Sequence, residues 1–270
     1  MQHPIETITS PSNPLIKRLR GLERKKQRQE TGLFMAEGTR LVAQGLARGW
    51  RLDTLVLSRP AMQRDHAGEL ADRAHRAGAR VVCVPERLVG RITRKDNPQA
   101  VIGAFEQSRR RLDALSGRAA GLWIALHEVR DPGNLGTILR TADCAGLGGV
   151  ILTGACCDPY SVEAVRASMG SIFDMPFAEA GFAALDDWRK RQGARLVAAR
   201  LNGNVRHDGN IYGPKAVILM GNEQSGLPAP LEAACDTLAQ IPMRGGADSL
   251  NLAQASAVMI YEAWRQRGFA

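Results

Sequence analysis

Three short polar loops contain most of the side chains that could perform chemistry. They read HEVRDPGNLGT, MGNEQSGLP and PMRGGADSLN, and each follows an apolar segment that predicts a strand. In an open parallel sheet, ligands bind beyond the carboxyl ends of the strands, so three glycine-bearing loops at strand ends predict one shared site. The chain lacks both G-x-G-x-x-G after a strand and G-x-x-x-x-G-K-[ST], which argues against a Rossmann dehydrogenase and a P-loop nucleotidase.

The first loop leads into a helix whose two sides differ in character. Asp131 is a good N-cap, and Pro132 suits the first helical turn. Arg140 lies about 160° from the centre of the predicted buried face, and Asn134 lies at the edge of that face. The residues predicted to be buried follow helical spacing: Leu135, Ile138, Leu139 and Ala142. Taken alone, this helix is better explained by a solvated arginine and a turn-forming asparagine than by a functional site.

The other two loops carry fewer distinctive groups. Glu223 is a single carboxylate in the second loop, and such a residue alone is more often part of a turn or a cap than a catalytic group. Ser249 is predicted to cap the closing helix. Because that helix has small side chains at 253 and 255–257, another helix or a second subunit could approach it closely.

The net charge of +9 is concentrated in the first part of the chain. Residues 1–118 have 23 Lys and Arg against 12 Asp and Glu, whereas residues 119–270 have 13 against 15. This asymmetry predicts a module that binds a polyanion, most commonly nucleic acid, joined to a nearly neutral module. A basic surface that only maintains solubility explains the charge count almost as well.

The pattern of apolar residues predicts an α/β protein with two domains. Residues 1–29 predict a basic, amphipathic helical extension, residues 30–106 a compact α/β domain, and residues 107–119 a linker rich in arginine, glycine and serine. Residues 120–270 alternate apolar strands with helices, which predicts a parallel sheet covered on both faces.

Composition also argues against several other classes of protein. No segment approaches the ~20 apolar residues that a membrane-spanning helix needs. The five cysteines and five histidines have no metal-ligand spacing, so we expect no metal. The first residues do not form a secretion or import signal, which predicts a cytoplasmic protein.

Taken together, the three loops resemble the three motifs of the SpoU branch of the SPOUT RNA methyltransferases. The matching segments are DPGNLGTILRTADCAGLGGVIL, ILMGNEQSGLP and IPMRGGADSLNLAQASAVMIYE, and the resemblance covers essentially all of residues 120–270. The segment FMAEGTRLV, in turn, resembles the start of the ribosomal-protein-like substrate-binding domain that precedes the catalytic domain in many SpoU enzymes.

The resemblance implies a fold, a cofactor and a reaction. The implied fold is a parallel α/β domain with a deep trefoil knot, which is a rare exception to the rule against threaded chains. The implied reaction is transfer of a methyl group from S-adenosylmethionine to a ribose 2′-hydroxyl of RNA. By the same resemblance, the residues that contact the cofactor are Gly221, Ile241, Met243 and Leu250.

The resemblance further implies that the catalytic residues are Asn134, Arg140, Glu223, Ser249 and Asn251. Arg140 is either the proton acceptor or a group that orients the ribose and stabilises the developing alkoxide, and because a guanidinium is protonated below pH ~12 we favour the second role. SpoU enzymes are usually homodimers that contact each other through the C-terminal domain, so we expect a homodimer.

Three functions are consistent with this reading. The leading one is methylation of ribosomal RNA, with transfer RNA as the alternative substrate. A non-catalytic RNA-binding or ribosome-assembly protein would have no need of Asn134, Arg140, Glu223 and Asn251 together. A small-molecule methyltransferase would show no steep loss of RNA affinity with added salt.

Overall fold

The computed structural model of the chain describes residues 5–63, 65–117 and 121–269. It divides the chain into two units. Unit 1 consists of the described residues up to Ser108 together with Asp158–Phe173, and unit 2 consists of Arg109–Cys157 and the described residues from Asp174 onward. Residues 118–120, where the predicted boundary between the linker and the second domain falls, lie outside the described residues.

Unit 1 is built on a mixed five-stranded sheet with the strand order β1-β4-β3-β5-β2. Strands β1, β4 and β3 are parallel, and β5 is antiparallel to both β3 and β2. The strands are β1 (Glu6–Thr7), β2 (Leu33–Glu37), β3 (Leu52–Ser58), β4 (Arg80–Val84) and β5 (Val101–Glu106). The helices before β5 are α1 (Pro14–Gly21), α2 (Lys25–Thr31), α3 (Thr39–Ala47), α4 (Arg59–Met62), α5 (Asp65–Arg76) and α6 (Glu86–Thr93).

The predicted helical extension over residues 1–29 belongs, within the described residues, to the body of unit 1. The apolar side of α1 is buried in the same core as the strands, which is why its leucine and isoleucine spacing is helical. The chain forms two helices here because Arg28 donates hydrogen bonds to the carbonyl oxygens of Leu22 and Glu23, at 2.8 and 2.7 Å, just beyond the end of α1.

Residues 158–173 group with unit 1, although the sequence pattern placed them in the second domain. The buried Arg28 guanidinium forms an ion pair with Asp158 at 2.6 Å. The ring of Tyr160 lies 4.7 Å from the ring of Phe34, and that of Phe173 lies 5.0 Å from that of Phe105. Two short helices begin in this segment, α8 (Val162–Ala167) and α9 (Ser171–Asp174), and α9 ends at the first residue of the following part of unit 2.

Unit 2 is built on a seven-stranded sheet in which every neighbouring pair of strands is parallel. Its order is β10-β12-β9-β11-β6-β7-β8, which confirms the predicted parallel sheet. The strands are β6 (Leu122–His127), β7 (Gly149–Thr153), β8 (Phe177–Glu179), β9 (Arg195–Ala199), β10 (Val205–Arg206), β11 (Ala216–Met220) and β12 (Thr237–Gln240). The helices are α7 (Pro132–Cys144), α10 (Phe182–Gln192), α11 (Ala229–Ala233) and α12 (Leu252–Arg265).

The predicted linker contributes to the core of unit 2. Residues Leu112–Leu115 form a 3-10 helix, and Leu115 is fully buried with Trp123 and Trp188. The Trp123 indole donates a hydrogen bond to the Leu115 carbonyl oxygen at 3.1 Å, which ties this segment to β6. Among the helices that the structure describes, none is long and apolar enough to cross a membrane.

Candidate active site

The register of the parallel sheet brings the ends of three strands to one edge of unit 2. Met220, the last residue of β11, pairs with Leu126 of β6, and His127 pairs with Thr153 at the end of β7. The first two polar loops follow β6 and β11 directly, so the sheet places them side by side.

Helix α7 presents its polar residues as its sequence predicts. Asp131 accepts a hydrogen bond from the Asn134 N–H at 2.6 Å and so caps the helix, and Pro132 occupies its first position. The four residues predicted for the buried face are fully buried. Arg140 is exposed, and among the described residues it forms no hydrogen bond or ion pair.

Glu223, in the second loop, is bound to the start of α7. Its carboxylate accepts hydrogen bonds from the backbone N–H groups of Arg130 and Asp131, at 3.1 and 3.2 Å. It also accepts one from the side-chain amide of Asn134 at 3.2 Å. Burial alone would raise the pKa of Glu223, but these hydrogen bonds and one from its own N–H hold that pKa below its ordinary value. The group is therefore a carboxylate at neutral pH and can only accept hydrogen bonds.

The carboxylate fixes the direction of a chain of amides that reaches the third loop. Because the Asn134 Nδ2 group faces Glu223, its Oδ1 atom faces the other way and accepts a hydrogen bond from Asn251 Nδ2 at 2.9 Å. The Asn251 Oδ1 atom then accepts a hydrogen bond from the Ala253 N–H at 2.8 Å. Asn134, Glu223 and Asn251, one from each predicted motif, thus form one network, which we call the amide network.

The cap of the closing helix differs from the prediction. Asn251, not Ser249, is the N-cap of α12, and Ser249 is exposed and forms no hydrogen bond among the described residues. Both residue types can cap a helix. Asn251 takes the position because its amide is also held by Asn134, which anchors the start of the helix.

Asn222 is a structural residue of this site that the motif reading missed. Its side-chain N–H donates a hydrogen bond to the Glu128 carbonyl oxygen at 2.8 Å. Its Oδ1 atom accepts hydrogen bonds from the backbone N–H groups of Gln224 and Ser225. Asparagine in a short polar loop is a common turn former, so its position two residues after the end of β11 was the available signal.

Cys157 lies close to the same loops but has no nucleophilic character. Its pKa is raised to about 12, chiefly by burial and then by the charges of Cys156, Glu223 and Asp131. The thiol therefore stays protonated at neutral pH.

Among the described residues, no group of three or more His, Cys, Asp or Glu side chains could hold a metal ion.

The third loop has the properties that a main-chain binding site for a cofactor requires. Within the described part of the chain, residues 242–250 form no hydrogen bond between backbone groups, so their N–H and C=O groups are available to a ligand. Met243 and Leu250 expose 38% and 36% of their surface here, although both are apolar. Ile241 is half-buried at the start of this loop.

Gly221 determines the shape of the second loop. A Cβ atom at this position would lie 2.5 Å from the carbonyl carbon of Gly226, inside van der Waals contact with backbone. Asn222 and Gly226 are joined by two backbone hydrogen bonds of 3.0 Å, so only glycine at 221 permits this closed turn. The combination of free main-chain groups, exposed apolar side chains and a tight glycine turn fits a bound S-adenosylmethionine.

Two protein-family models match the chain. The SpoU rRNA Methylase family matches residues 121–261, and the MRM3-like substrate binding domain matches residues 13–103. The S-adenosylmethionine-bound crystal structure of an rRNA methyltransferase from Sinorhizobium meliloti is 44% identical, with a TM-score of 0.88, and the match covers 97% of this chain and 98% of that one.

Two characterised relatives match over nearly their whole length. The 23S rRNA (uridine(2479)-2′-O)-methyltransferase of Streptomyces viridochromogenes is 29% identical over 91% of this chain and 87% of the relative. The 23S rRNA (guanosine(2553)-2′-O)-methyltransferase RlmP of Bacillus subtilis is 27% identical over 95% of this chain and 98% of the relative. The predictions of an RNA methyltransferase, of S-adenosylmethionine as cofactor and of an N-terminal substrate-binding domain are confirmed. The chain belongs to the SpoU rRNA methylase family.

Proposed function

We propose that this chain transfers a methyl group to the 2′-hydroxyl of one ribose in ribosomal RNA. The observation that carries the proposal is the amide network, which joins one residue of each SpoU motif at the edge of the sheet where ligands bind. S-adenosylmethionine supplies the methyl group when bound. The two relatives named above match across both units and act on 23S rRNA, which favours ribosomal over transfer RNA.

The second and third loops are proposed to hold the cofactor. Gly221 lets the second loop close, and Ile241, Met243 and Leu250 offer apolar surface beside unpaired main-chain groups. This arrangement binds a ligand through the backbone, so the glycine at 221 matters more than the identity of any single side chain.

The amide network is proposed to position the ribose. Asn134 and Asn251 each use one N–H of their amide groups inside the network, so the second N–H of each can donate to a ribose or phosphate oxygen. Glu223 keeps both amides in this orientation. Ser249, which is exposed in the third loop, is proposed to shape the pocket between cofactor and ribose.

Arg140 is proposed to act on the reacting hydroxyl. Its guanidinium is exposed and unpaired among the described residues, so it is available to an RNA ligand. An arginine beside the hydroxyl orients it and stabilises the developing alkoxide, and this holds whether or not the arginine also accepts the proton.

Three further features belong to this proposal: a homodimer, a trefoil knot and a cytoplasmic location. Helix α12 exposes Tyr261, and Phe269 beyond its end is also exposed, both in ring contact with Trp264, which supports a subunit contact through the C-terminal domain. The knot is supported by the match to the SpoU rRNA Methylase family. The cytoplasmic location is supported by the proposed substrate, because ribosomes lie in the cytoplasm. Light scattering at working concentration tests the dimer, and a monomer would count against it.

The substrate class is tested by mapping 2′-O-methyl groups in all cellular RNA with and without this protein. We expect one ribose of ribosomal RNA to lose its methyl group when the protein is absent. Loss of a transfer RNA methyl group, with ribosomal RNA unchanged, would replace the proposed substrate by the alternative one.

A further inference from the structure

Unit 1 contains a small cavity that combines an apolar wall with polar groups at its mouth. The cavity has a volume of about 160 Å³. Its lining residues all belong to unit 1. The apolar wall consists of Met35, Leu41, Val162 and Val165.

The most buried polar side chain that lines this cavity is that of Glu37. The Glu37 side chain, at the end of β2, is only 9% exposed. One of its oxygens accepts a hydrogen bond from Lys95 Nζ, whereas the other, Oε1, is buried without a hydrogen-bond partner among the described residues. A buried acceptor without a partner is costly, so this oxygen calls for a ligand that donates an N–H or O–H group.

The mouth of the cavity carries amides and positive charge. Asn97, Gln99 and Arg166 line it, and all three side chains are exposed. Lys95 and Asn97 also line a second cavity of about 480 Å³, which includes Arg87. An apolar slot with one deep acceptor, amides that can donate or accept, and nearby cations has the chemistry that binds a nucleobase with its phosphate outside.

We propose that this cavity binds an unpaired nucleobase of the RNA substrate that carries an exocyclic amino group. The amino group donates to Glu37 Oε1, and the ring lies against the apolar wall. Uracil fits poorly, because its N3–H lies between two carbonyl oxygens that would face the carboxylate. The site assigns a base-reading role to the segment FMAEGTRLV, in which Glu37 lies. Only the identification of the ligand as RNA rests on the proposed function.

The test compares two short RNA probes whose bases differ only at C4 and N3. Oligocytidylate and oligouridylate of about 12 nucleotides carry the same charge, but only cytosine has an amino group where uracil has a carbonyl. Fluorescence anisotropy with the full chain should show about fivefold tighter binding of oligocytidylate. Glu37→Gln should reduce this preference to near unity.

Two control variants separate base reading from general effects. Glu106→Gln makes the same change of charge at an exposed ion pair with Arg51, outside the cavity, and should keep the preference for oligocytidylate. Leu41→Phe leaves the charge unchanged and fills the cavity, so it should also remove the preference. Equal preferences in the wild-type chain and in Glu37→Gln, or no preference in the wild-type chain, would overturn the inference.

The outcome is separable from that of the proposed function. If methyl transfer to ribosomal RNA occurs but the probes bind equally, only the base-reading site is wrong. If the chain binds oligocytidylate more tightly than oligouridylate but methylates no RNA, the base-reading role of the cavity is supported and the proposed reaction is wrong.

Discussion

Asn134 connects three segments that are distant in sequence through a single side-chain amide. Its donor group faces Glu223 and its acceptor faces Asn251, and this direction follows from the carboxylate being able only to accept. A side chain held at both ends loses little further freedom when a ligand binds, which suits the proposed role of Asn134 in aligning the ribose hydroxyl.

Replacing Arg140 tests the residue assigned to the reacting hydroxyl. Arg140→Ala should lower turnover about 100-fold or more, because a charged donor at a developing alkoxide is lost. Affinity for S-adenosylmethionine should stay within about twofold, since the residues proposed to contact the cofactor do not include Arg140. Steady-state methyl transfer and calorimetric cofactor titration measure the two effects. Arg191→Ala, at another exposed arginine of unit 2, is the control, and near-normal turnover of Arg140→Ala would refute the assignment.

Glu223 makes a contribution to stability that depends on pH. Its pKa is lowered in the folded chain, so its contribution is fully present above its ordinary value of 4.5 and is lost as the pH falls through the folded pKa. Glu223→Gln should therefore lower the free energy of unfolding by about 1 kcal/mol at pH 7, near the small end for charged hydrogen bonds because the group is partly exposed.

Urea unfolding at pH 7 and below pH 4.5 measures this contribution. The difference between the wild-type chain and Glu223→Gln should shrink at the lower pH. Glu106→Gln, at an exposed ion pair, serves as the matched control. A difference that grows as the pH falls would contradict the hydrogen-bonding role given to the carboxylate.

At the scale of elements, the two loops after β11 and β12 differ in how they can bind a ligand. The loop after β11 is closed by backbone hydrogen bonds between Asn222 and Gly226, whereas residues 242–250 form none among the described residues. The loop after β11 therefore supplies a rigid wall, and the loop after β12 supplies free main-chain groups.

Gly221→Ala tests the rigid wall. The added Cβ would meet the Gly226 backbone at 2.5 Å, so the turn must open at a cost of about 1–3 kcal/mol. We expect the affinity for S-adenosylmethionine to fall about tenfold or more, with the sheet intact by circular dichroism. Gly68→Ala, in α5 where a Cβ meets no atom within 4 Å, should leave affinity unchanged. Unchanged affinity in Gly221→Ala would show that this turn does not bind the cofactor.

The local pattern of apolar residues predicts the type of the long strands but not that of the short ones. The strands β6, β7 and β11 are wholly buried and read as continuous apolar runs, so their type could be predicted. Strand β10 has two exposed residues and no pattern. It exists because Val205 and Arg206 pair with β12, a contact that no local sequence feature encodes.

The sequence predicts candidate residues for the site but not the contacts between them. Helical spacing placed Arg140 opposite the core, and the structure shows it exposed. The cap at Asn251 and the chain of amides depend on contacts between residues about 90 to 120 positions apart, which periodicity cannot reveal. Periodicity also cannot reveal that residues 158–173 belong to unit 1, where Asp158 forms an ion pair with the distant Arg28.

At the scale of the whole molecule, charge and chemistry are divided along the chain. The basic excess lies in residues 1–118, which include the match to a substrate binding domain, whereas the methylase match lies in the nearly neutral remainder. Phosphate contacts supply most of the affinity for RNA without reading sequence, so the basic part suits capture of the substrate and the second part suits chemistry.

The most direct test of the account is the chemical identity of the product. Ribosomal RNA from cells lacking this protein is incubated with the purified chain and methyl-labelled S-adenosylmethionine, then digested to nucleosides and separated. We predict that the label appears in a single 2′-O-methylated nucleoside and is absent when Arg140→Ala replaces the wild-type chain. Label on a base, or no label in ribosomal RNA while the chain binds the cofactor, would contradict the assignment of this site to ribose methylation.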